Sequence, residues 1–455
     1  VTIKNGKLNI RRLKINIKND CFNDMKNRRK NIFSLEDIAQ QAVMEYGFTP
    51  FFNQAVLHEL KSAHVPVPRK KDDIRDLRGL FWSSLDNIDS QDLDQLEYCE
   101  QYKQGAIHVK IAIADVDYYA PRGGAIDRHA SHNATSLYTG IHTFPMLPEQ
   151  LSYNASSLLP GADRLAIVVQ YNIKKDGQID FGDVYQAWVC NKAKLVYEEA
   201  AQWLDNPKQR HFEWLNKDVE KQLLLQHQAA KRLRERRRIE GMLEFQTIEP
   251  KPVIDNGQVK DLQGRTPTSA HKIIEQFMIA ANQCQVNFLT KNQVPTIQRI
   301  VRSPDRWGKI VDIAAEYGFD LPSEPNSKAL SGFLMSRLKK SKDTFEDFSL
   351  MIIKLIGRGE YEMVSPGKYG HGHFGIAVNH YTHSTAPNRR YVDLVIQRLV
   401  KAILAKRPIP YTKRELVEVA AWCSERDTAS KKLERFMRKV AAALLLQNRV
   451  GQVFE

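Results

Sequence analysis

Apolar positions near the start of the chain recur at the spacing of α-helices. Ser34 precedes Leu35, two acidic residues and an apolar pattern that ends at Gly47, and this order predicts a helix with an N-cap and a glycine stop. A second short helix is predicted over 54–63, followed by an extended linker, because the prolines of 64–69 restrict the residues before them. The two helices are predicted to form a packing subdomain, with a DNA-reading helix-turn-helix as the alternative.

The middle of the chain changes to the pattern of β-strands. Residues 106–114 alternate and then become apolar, residues 165–173 are rich in β-branched side chains, and Asp176-Gly177 is typical of a tight turn between strands. Helical patterns follow at 197–238, 269–290, 391–404 and, as two closing helices, 415–446. This order predicts a mixed α/β fold in which a β-sheet is wrapped by helices and preceded by a small helical N-terminal region.

Composition and charge narrow the classes of function. The 455 residues are 42% hydrophobic, enough for a sizeable core, and no apolar run approaches the roughly 18 residues of a membrane span. The net charge is +14, and residues 1–31 alone hold ten basic and two acidic side chains, a net +8. This excess predicts a polyanionic partner, with nucleic acid first and an acidic membrane surface second. The basic arm 1–31 either contacts that partner or is a solvated tail.

Cysteine usage and absent motifs exclude further classes. The five cysteines are scattered without a C-x-x-C pair, which argues against a disulfide framework and against a thiolate zinc site. The expected location is the cytoplasm, and the expected state is a monomer without membrane attachment. The sequence contains neither the G-x-S-x-G of a serine hydrolase nor the G-x-x-x-x-G-K-[ST] of a nucleotide-binding loop.

Four carboxylates lie within nine positions: Asp86, Asp89, Asp92 and Asp94. Carboxylate oxygens are the hard ligands that magnesium prefers, and two such ions held together support phosphodiester hydrolysis. An acidic surface turn is the alternative, because short clusters of Asp, Asn and Ser are mostly loops. A calcium loop of the EF-hand type is disfavoured, since its sixth position would need a glycine and holds Gln91.

Two adjacent arginines lie just before a predicted helix. Arg389 and Arg390 precede a helix that is predicted to begin near Tyr391. Guanidinium groups at a helix N-terminus make a good phosphate clamp, because bidentate donors are combined there with free backbone N–H groups. Together with the acidic cluster, they indicate chemistry on phosphodiesters.

These segments resemble ordered motifs of the RNase II/RNB family of 3′-to-5′ exoribonucleases, over about 76–404. The acidic cluster is similar to the family's I-D-x(5)-D-x-D-D, and the late segment to its Y-T-H-F-T-S-P-I-R-R-Y-x-D-L. Three further segments match: Tyr138 followed by Pro145-Met-Leu-Pro148, Lys192–Tyr197, and Ile273–Asn282. The resemblance implies an RNB-type catalytic core that hydrolyses single-stranded RNA to nucleoside 5′-monophosphates. Magnesium is the implied cofactor, with manganese as the other possible ion.

The resemblance also implies roles for individual residues. The metal site would comprise Asp86, Asp92, Asp94 and Gln95, and the catalytic residues would be Asp94, Asp92 and Arg389. The residues implied to contact RNA are Tyr138, Tyr197, Phe245, Glu275, Arg389, Arg390 and Glu425. Tyr138 would stack on the 3′-terminal base, and Phe245 would be a second stacking aromatic. Stacking suits digestion without sequence preference, because every base has a π-face.

The sequence departs from the family at several positions. Gln95 stands where the family has a fourth Asp; its amide oxygen can still bind a hard cation, but one negative charge is missing. If Gln95 is not a ligand, Asp89 is the first alternative. The roughly eighty residues before the acidic cluster are too few for the family's cold-shock barrels. The chain ends where the family's C-terminal OB-type barrel is expected to begin.

The expected organisation is a basic arm (1–31), an N-terminal helical region with linker (32–75), an RNB catalytic domain (76–404) and C-terminal helices (405–455). The leading hypothesis is a magnesium-dependent exoribonuclease. The first alternative is an RNA-binding protein with a weakened or degenerate catalytic site. It is suggested by Gln95 and by the altered arginine motif, in which Ser384, Ala386, Asn388 and Gln397 replace the family's Phe, Ser, Ile and His. The second is a DNA-binding regulator that uses the N-terminal helices and the basic arm.

Overall fold

The computed structural model describes residues 2–4, 7–9, 34–68, 74–206, 212, 214–247, 249–255, 258–341, 343–368 and 370–446. The helices of these residues are α1 (Leu35–Glu45), α2 (Gln54–Lys61), α3 (Ala125–Asn133), α4 (Tyr197–Asp205), α5 (Lys217–Glu240), α6 (Ser269–Lys291), α7 (Trp307–Glu316), α8 (Ser327–Lys340), α9 (Phe345–Ile356), α10 (Tyr391–Leu404) and α11 (Lys413–Leu446). The strands are β1 (Thr2–Lys4), β2 (Lys7–Asn9), β3 (Arg75–Asp76), β4 (Trp82–Asp86), β5 (Gln95–Gln101), β6 (Ile107–Ala114), β7 (Leu137–Tyr138), β8 (Thr143–Phe144), β9 (Asp163–Ile173), β10 (Ile179–Val196), β11 (Glu249–Asp255), β12 (Gln258–Arg265), β13 (Thr296–Ile300) and β14 (Glu360–Val364).

Five strands of the main sheet close on themselves. The order is β10-β4-β5-β6-β9, and β9 pairs with β10 again, while β3 pairs with β10 as an additional strand. The 18-residue strand β10 closes the sheet, because its first part pairs antiparallel with β9 and its last part pairs parallel with β4. Register shifts after Phe181 and Asn191 bend this strand. The predicted mixed α/β fold is confirmed, and the closure of the sheet adds to it.

Helices pack against the sheet and bury its apolar side chains. Helix α5 is fastened to β5 through Gln222, whose amide donates to the carbonyl of Cys99 and accepts from its N–H, both at 2.9 Å. Helix α6 lies against β9 and β10, and α10 against β10. The largest side chains of this core that are fully buried include Trp82, Leu85, Leu96, Ile113, Tyr171 and Phe277.

The helices predicted to begin at 35, 54, 269 and 391 agree with the structure. The predicted helical segment 197–238 is instead divided into α4 and α5 by non-helical residues that include 214–216, and the C-terminal end also differs. Ser34 caps α1 by accepting from the N–H of Asp37 at 3.1 Å, and Gly47 follows the helix with φ of +81°. The prediction of two closing helices within 415–446 is wrong, because α11 is one helix of 34 residues. Neither glycine nor proline interrupts this segment, and buried residues from Leu416 to Val440 give it one continuous packed face.

A second apolar cluster lies outside the main core. It is formed mainly by α7, α8 and α9, and its buried members include Trp307, Ile310, Phe333, Leu334, Phe348 and Ile352. Helix α1 belongs to a third cluster, in which Val43 and Phe48 pack with Met437 of α11. Among the described helices, none combines the length and apolar character needed to cross a membrane. Of the basic arm, only the antiparallel pair β1 and β2 lies within the described residues.

Candidate active site

The acidic cluster lies in the connection between β4 and β5. Asp86 is the last residue of β4, Asp92 and Asp94 lie in the connection, and Gln95 begins β5. Asp86 and Asp94 are 9% and 2% exposed, and Asp92 is half-buried. The cluster is therefore not the solvated surface turn that the sequence left open. Only Asp89, among the four carboxylates, is exposed.

Two side chains from elsewhere in the fold hold this connection in place. Lys194 of β10 donates to the carbonyl of Ser90 at 2.7 Å. Ser157 donates its hydroxyl to the carbonyl of Gln91 at 2.6 Å and accepts from the N–H of Leu93 at 3.0 Å. Because these bonds use backbone groups of the connection, they set the positions from which Asp92 and Asp94 project.

Arg389 and Asp94 form the central ion pair of the site. Arg389 Nε donates to Asp94 Oδ2 at 3.2 Å, and the N–H of Asn388 donates to Asp94 Oδ1 at 3.1 Å. Asn388 is held in turn by Ser156, whose hydroxyl donates to its side-chain oxygen at 2.6 Å. The side chain of Arg389 is 46% exposed, so part of its guanidinium group faces solvent beside a buried carboxylate.

Tyr138 reaches the same place through a pairing of backbone segments. The N–H of Ser136 donates to the carbonyl of Arg389 at 3.0 Å. Two residues further on, the Tyr138 hydroxyl donates to Asp92 Oδ2 at 3.5 Å, and the Tyr138 side chain remains 41% exposed. An aromatic ring with a free face thus stands next to a guanidinium group and the carboxylates.

A cleft of about 770 Å³ opens over these groups. It extends from the β4–β5 connection to the hairpin of β11 and β12 and to α11. Its charged and aromatic lining includes Asp89, Asp92, Tyr138, Arg389, Glu434 and Arg438. A cleft lined by Arg389, Arg438 and the exposed ring of Tyr138 suits an extended, negatively charged ligand that carries aromatic bases.

Burial raises the pKa values of three carboxylates in the cluster, Asp86, Asp92 and Asp94. Burial raises the pKa of Asp86 to about 6, although the charge of Lys194 lowers it. Burial likewise raises the pKa of Asp94 to about 7, although the charge of Arg389 lowers it. Burial also raises the pKa of Asp92, whose negative charge raises the pKa of both neighbours. Lys194 and Arg389 therefore offset only part of the effect of burial on the pKa values of Asp86 and Asp94.

The two adjacent arginines, which the sequence suggests as a joint phosphate clamp, have different partners in the structure. Arg390 donates through Nε and Nη2 to the two carboxylate oxygens of Asp393, at 2.9 and 2.8 Å. Asp393 is fully buried and also accepts from the N–H of Ala386 at 2.8 Å. Arg390 thus fastens the start of α10, and of the pair only Arg389 lies at the acidic cluster. A contact of Arg390 with RNA stays a prediction.

Tyr197 lies close to the cluster. It is the first residue of α4, and the negative charge of Asp86 contributes to raising the pKa of its hydroxyl, after burial. Its ring stacks on that of His271, with the ring centres 3.9 Å apart. The structure therefore places Tyr197 within electrostatic reach of Asp86, and its contact with RNA stays a prediction.

Three other predicted RNA contacts lie in separate surroundings. Phe245 is half-buried and packs against the second apolar cluster. Glu275 is exposed on α6, where its charge acts on the guanidinium group of Arg237. Glu425 is exposed on α11 and accepts from Arg426 at 3.2 Å. The structure places none of these three at the ion pair of Arg389 and Asp94, and their roles on RNA stay predictions.

The donor set of the cluster fits an oxygen-preferring cation. Within the described ranges, no three His, Cys, Asp or Glu side chains already converge in an arrangement that could hold a metal ion. Two buried carboxylates nevertheless have oxygens without a hydrogen-bond partner in that part of the chain: Oδ2 of Asp86 and both oxygens of Glu97. Such oxygens are costly to bury alone, and they are the ligands that magnesium and manganese prefer.

Sequence reasoning missed two side chains that position the site. Ser156 and Ser157 act through single hydroxyl groups whose partners lie 232 and 66 residues away along the chain. No local pattern marks such a serine, since its role depends entirely on which distant segment folds against it. Lys194 and Asn388 lie inside recognised motifs, but the sequence does not assign their hydrogen bonds.

Comparisons with known proteins show what this chain is similar to. A family model described as the RNB domain matches residues 74–406. Ribonuclease R of Thermotoga maritima is 30% identical over 423 residues, covering 89% of this chain and 57% of the relative. A structure of Mycoplasma genitalium RNase R in complex with ribose methylated single-stranded RNA has a TM-score of 0.84 at 24% identity, covering 93% of this chain and 66% of that one. Yeast Ssd1, a pseudonuclease, has a TM-score of 0.69 at 16% identity, covering 88% and 50%. The chain spans about half the length of the curated relatives that it matches.

Proposed function

Because this chain belongs to the RNB-domain family, we propose that it is a metal-dependent 3′-to-5′ exoribonuclease acting on single-stranded RNA. Its products would be nucleoside 5′-monophosphates, and its ion would be magnesium, with manganese as a substitute. The observation that carries the proposal is the grouping of Asp92, Arg389 and Tyr138 on one cleft, with Asp94 bonded to Arg389 and the charge of Asp92 acting on Asp86. The family resemblance derived from the sequence motifs is confirmed by the match over 74–406.

The residues of the cleft suit the parts of this reaction. Arg389 offers guanidinium donors to a phosphate oxygen and stays in place because Asp94 holds its Nε. A divalent ion held by Asp86, Asp92 and Asp94 would supply charge compensation and an activated water. Tyr138 offers a ring face to the terminal base and is oriented by its hydroxyl bond to Asp92. In this proposal, a phosphate of the RNA would lie between the ion held by the aspartates and the guanidinium group of Arg389, so both kinds of group are needed in one cleft.

Incubation with 5′-labelled RNA, with magnesium or with EDTA, tests the proposal directly. Progressive shortening from the 3′ end only in the presence of the ion supports it. Retention of RNA without shortening, in magnesium and in manganese alike, would favour the second candidate function, an RNA-binding protein with a degenerate site. That candidate is favoured by one observation, the neutral Gln95 at a ligand position. Preference for duplex DNA would contradict both.

Replacing Tyr138 with alanine is expected to weaken handling of the RNA 3′ end by about 1–3 kcal/mol, the usual worth of one base–aromatic stack. The size of the smallest product should also change, because a terminal stack holds short remnants in place. Binding of short oligonucleotides and the product ladder on a sequencing gel are the measurements.

Two variants separate the stack from other effects. Tyr138→Phe keeps the ring but loses the bond to Asp92, so it should retain most of the affinity. Tyr102→Ala removes a similarly exposed tyrosine just beyond the far end of β5 and should change neither measurement. An unaltered product ladder from Tyr138→Ala would contradict the stacking role.

Deleting residues 1–31 is expected to reduce the salt dependence of RNA binding. The deletion removes a net charge of +8 from +14, and each phosphate neutralised on a single strand contributes roughly −0.7 to the slope of log affinity against log salt. Fluorescence anisotropy at several salt concentrations measures the slope for both proteins. Equal slopes would show that the arm does not contact RNA.

A further inference from the structure

Two side chains that line the cleft belong to none of the recognised motifs and have no role in the mechanism above. Tyr153 lies in a π-helical turn, Gln150–Ala155, and Arg438 lies in α11, beyond residue 406 where the RNB match ends. Both side chains are half-buried. The lining of the cleft therefore extends beyond the residues that the family motifs supply.

The turn that carries Tyr153 is bonded to the active site. Ser156 donates its N–H to the carbonyl of Leu151 at 3.0 Å, which is the five-residue bond of a π-helix. The Ser156 hydroxyl donates to Asn388, whose own N–H donates to Asp94 at 3.1 Å. Single π-helical turns are frequent at functional sites, where they alter the direction in which a side chain projects. Tyr153 is thus carried by a backbone segment that is fixed relative to Asp94.

Arg438 has no partner for its guanidinium group among the described residues. Several other cations of α11 are engaged, because Arg414, Arg426 and Lys431 form ion pairs with carboxylates of the same helix. Arg438 takes part in none of the side-chain hydrogen bonds or ion pairs of the described ranges. A guanidinium group carries five N–H donors and binds phosphate in a bidentate manner. The donors of Arg438 are therefore available to an anionic ligand in the cleft.

Together these two side chains repeat the chemistry of Tyr138 and Arg389. A single-stranded polynucleotide alternates bases with phosphates, so each successive nucleotide offers one π-face and one negative charge. In a strand that ends in a 3′ hydroxyl, every phosphate other than the one being cleaved lies on the 5′ side of the scissile bond. Phe245, which the family resemblance suggests as the second stacking ring, packs against the second apolar cluster instead. A second ring and a second guanidinium group in the cleft suit the next nucleotide of the RNA.

We propose that Tyr153 and Arg438 bind the nucleotide that precedes the 3′-terminal one, with Tyr153 stacking on its base and Arg438 contacting a phosphate on the 5′ side of the scissile bond. The inference rests on the proposed function, because it assigns two residues to the RNA of that function. It concerns binding only, so it is tested in EDTA, where hydrolysis does not occur.

The affinities of two oligoadenylates test the stacking role of Tyr153. Fluorescence anisotropy of a 5′-labelled hexanucleotide gives one affinity, and competition by an unlabelled dinucleotide gives the other. Tyr153→Ala is expected to weaken binding of both about 5- to 140-fold, the range that corresponds to one base–aromatic stack. Tyr153→Phe keeps the ring and should bind as the unmodified protein does. Tyr102→Ala, which removes an exposed tyrosine outside the cleft lining, is the control and should change neither affinity.

The salt dependence of binding tests the role of Arg438. Arg438→Gln should make the slope of log affinity against log salt less negative by roughly 0.7 for the hexanucleotide, the contribution of one phosphate on a single strand. The dinucleotide has one internal phosphate, which Arg389 would bind, so its slope should not change. Arg438→Lys keeps the charge and should restore most of the slope. Arg414→Gln removes the same charge near the start of α11 and is the control, because its side chain is 89% exposed and paired with Glu418.

Thermal unfolding followed by circular dichroism establishes that each variant is folded. If Tyr153→Ala does not fold, Tyr153→Leu fills similar space without a π-system and gives the same test. The proposal requires both effects, so an unchanged affinity of a folded Tyr153 variant without the ring, or an unchanged hexanucleotide slope for Arg438→Gln, would overturn it. A changed slope for the dinucleotide would also overturn it, because Arg438 would then act at the scissile phosphate.

Failure of this inference differs from failure of the proposed function. If the variants bind RNA as the unmodified protein does, but the unmodified protein shortens RNA in magnesium, the hydrolysis stands and the roles of Tyr153 and Arg438 do not. If the variants show the expected losses and no RNA is shortened in magnesium or manganese, the two roles are supported and the proposed hydrolysis is not.

Discussion

Replacing Asp94 with asparagine is expected to reduce RNA hydrolysis by about 100- to 1000-fold, the usual cost of losing one preorganised charged group at the reacting centre. Asp94 is 2% exposed and accepts from Arg389 Nε, and asparagine at this position would remove its negative charge from the site. RNA affinity should stay nearly unchanged or rise slightly, because phosphate contacts and stacking supply it and one negative charge is removed. Initial rates on labelled RNA and anisotropy binding curves give the two quantities.

The fold of the Asp94→Asn protein should survive, since an asparagine oxygen can still accept from the N–H of Asn388. Asp180→Asn is the control: the same chemical change at an exposed position of β10 that does not line the cleft should leave the rate within about twofold. A rate for Asp94→Asn equal to that of the unmodified protein would remove this residue from the active site.

Replacing Arg398 with methionine is expected to lower the free energy of unfolding by about 3–5 kcal/mol, the cost of removing one partner from buried ion pairs. Arg398 is 3% exposed and bonds to Asp117 at 2.9 Å, to Asp127 at 2.8 Å and to the Tyr411 hydroxyl at 2.7 Å. Methionine fills similar volume but leaves Asp127, which is 6% exposed on its side chain, without this cation. Denaturant titration followed by circular dichroism measures the loss.

Arg414→Met provides the control for the loss of one arginine. Its side chain is 89% exposed and pairs with Glu418 four residues later, so the cost should be below about 0.5 kcal/mol. Comparable losses for the two variants would mean that the network around Arg398 does not stabilise the fold. The network matters for the site because Arg398 fastens α10, the helix that begins two residues after Arg389.

Several elements could be predicted from the sequence because their causes are local. The N-cap of α1 depends on Ser34 and Asp37, three residues apart, and the turn between β9 and β10 depends on Asp176-Gly177. Helix α10 has the predicted bounds, Tyr391–Leu404, because its apolar residues recur regularly from its first turn. The three helices around the second apolar cluster were not predicted, since short apolar helices lack a period long enough to distinguish them from strands.

For the candidate site as well, the sequence identifies some features and only the tertiary structure reveals the others. The sequence by itself determined which residue types are present and in which order: the aspartates, the two arginines, Tyr138 and Tyr197 all lie in motifs whose spacing is recognisable without a structure. Those motifs established the family, because their order and spacing along one chain carry more information than any single residue.

Only the tertiary structure decided which of these groups act together. In the folded chain Arg389 bonds to Asp94, whereas Arg390 bonds to Asp393. Residues 415–446 lie in one helix, and Ser156 and Ser157 contact the site from segments distant in the sequence. The tertiary structure also buried Glu97, a position without a sequence signal, where neither carboxylate oxygen has a hydrogen-bond partner in the described chain. The physical reason is that burial and hydrogen bonding depend on three-dimensional neighbours. A sequence pattern indicates whether a segment is a strand or a helix, but it does not indicate which charged side chains from other segments will contact that element.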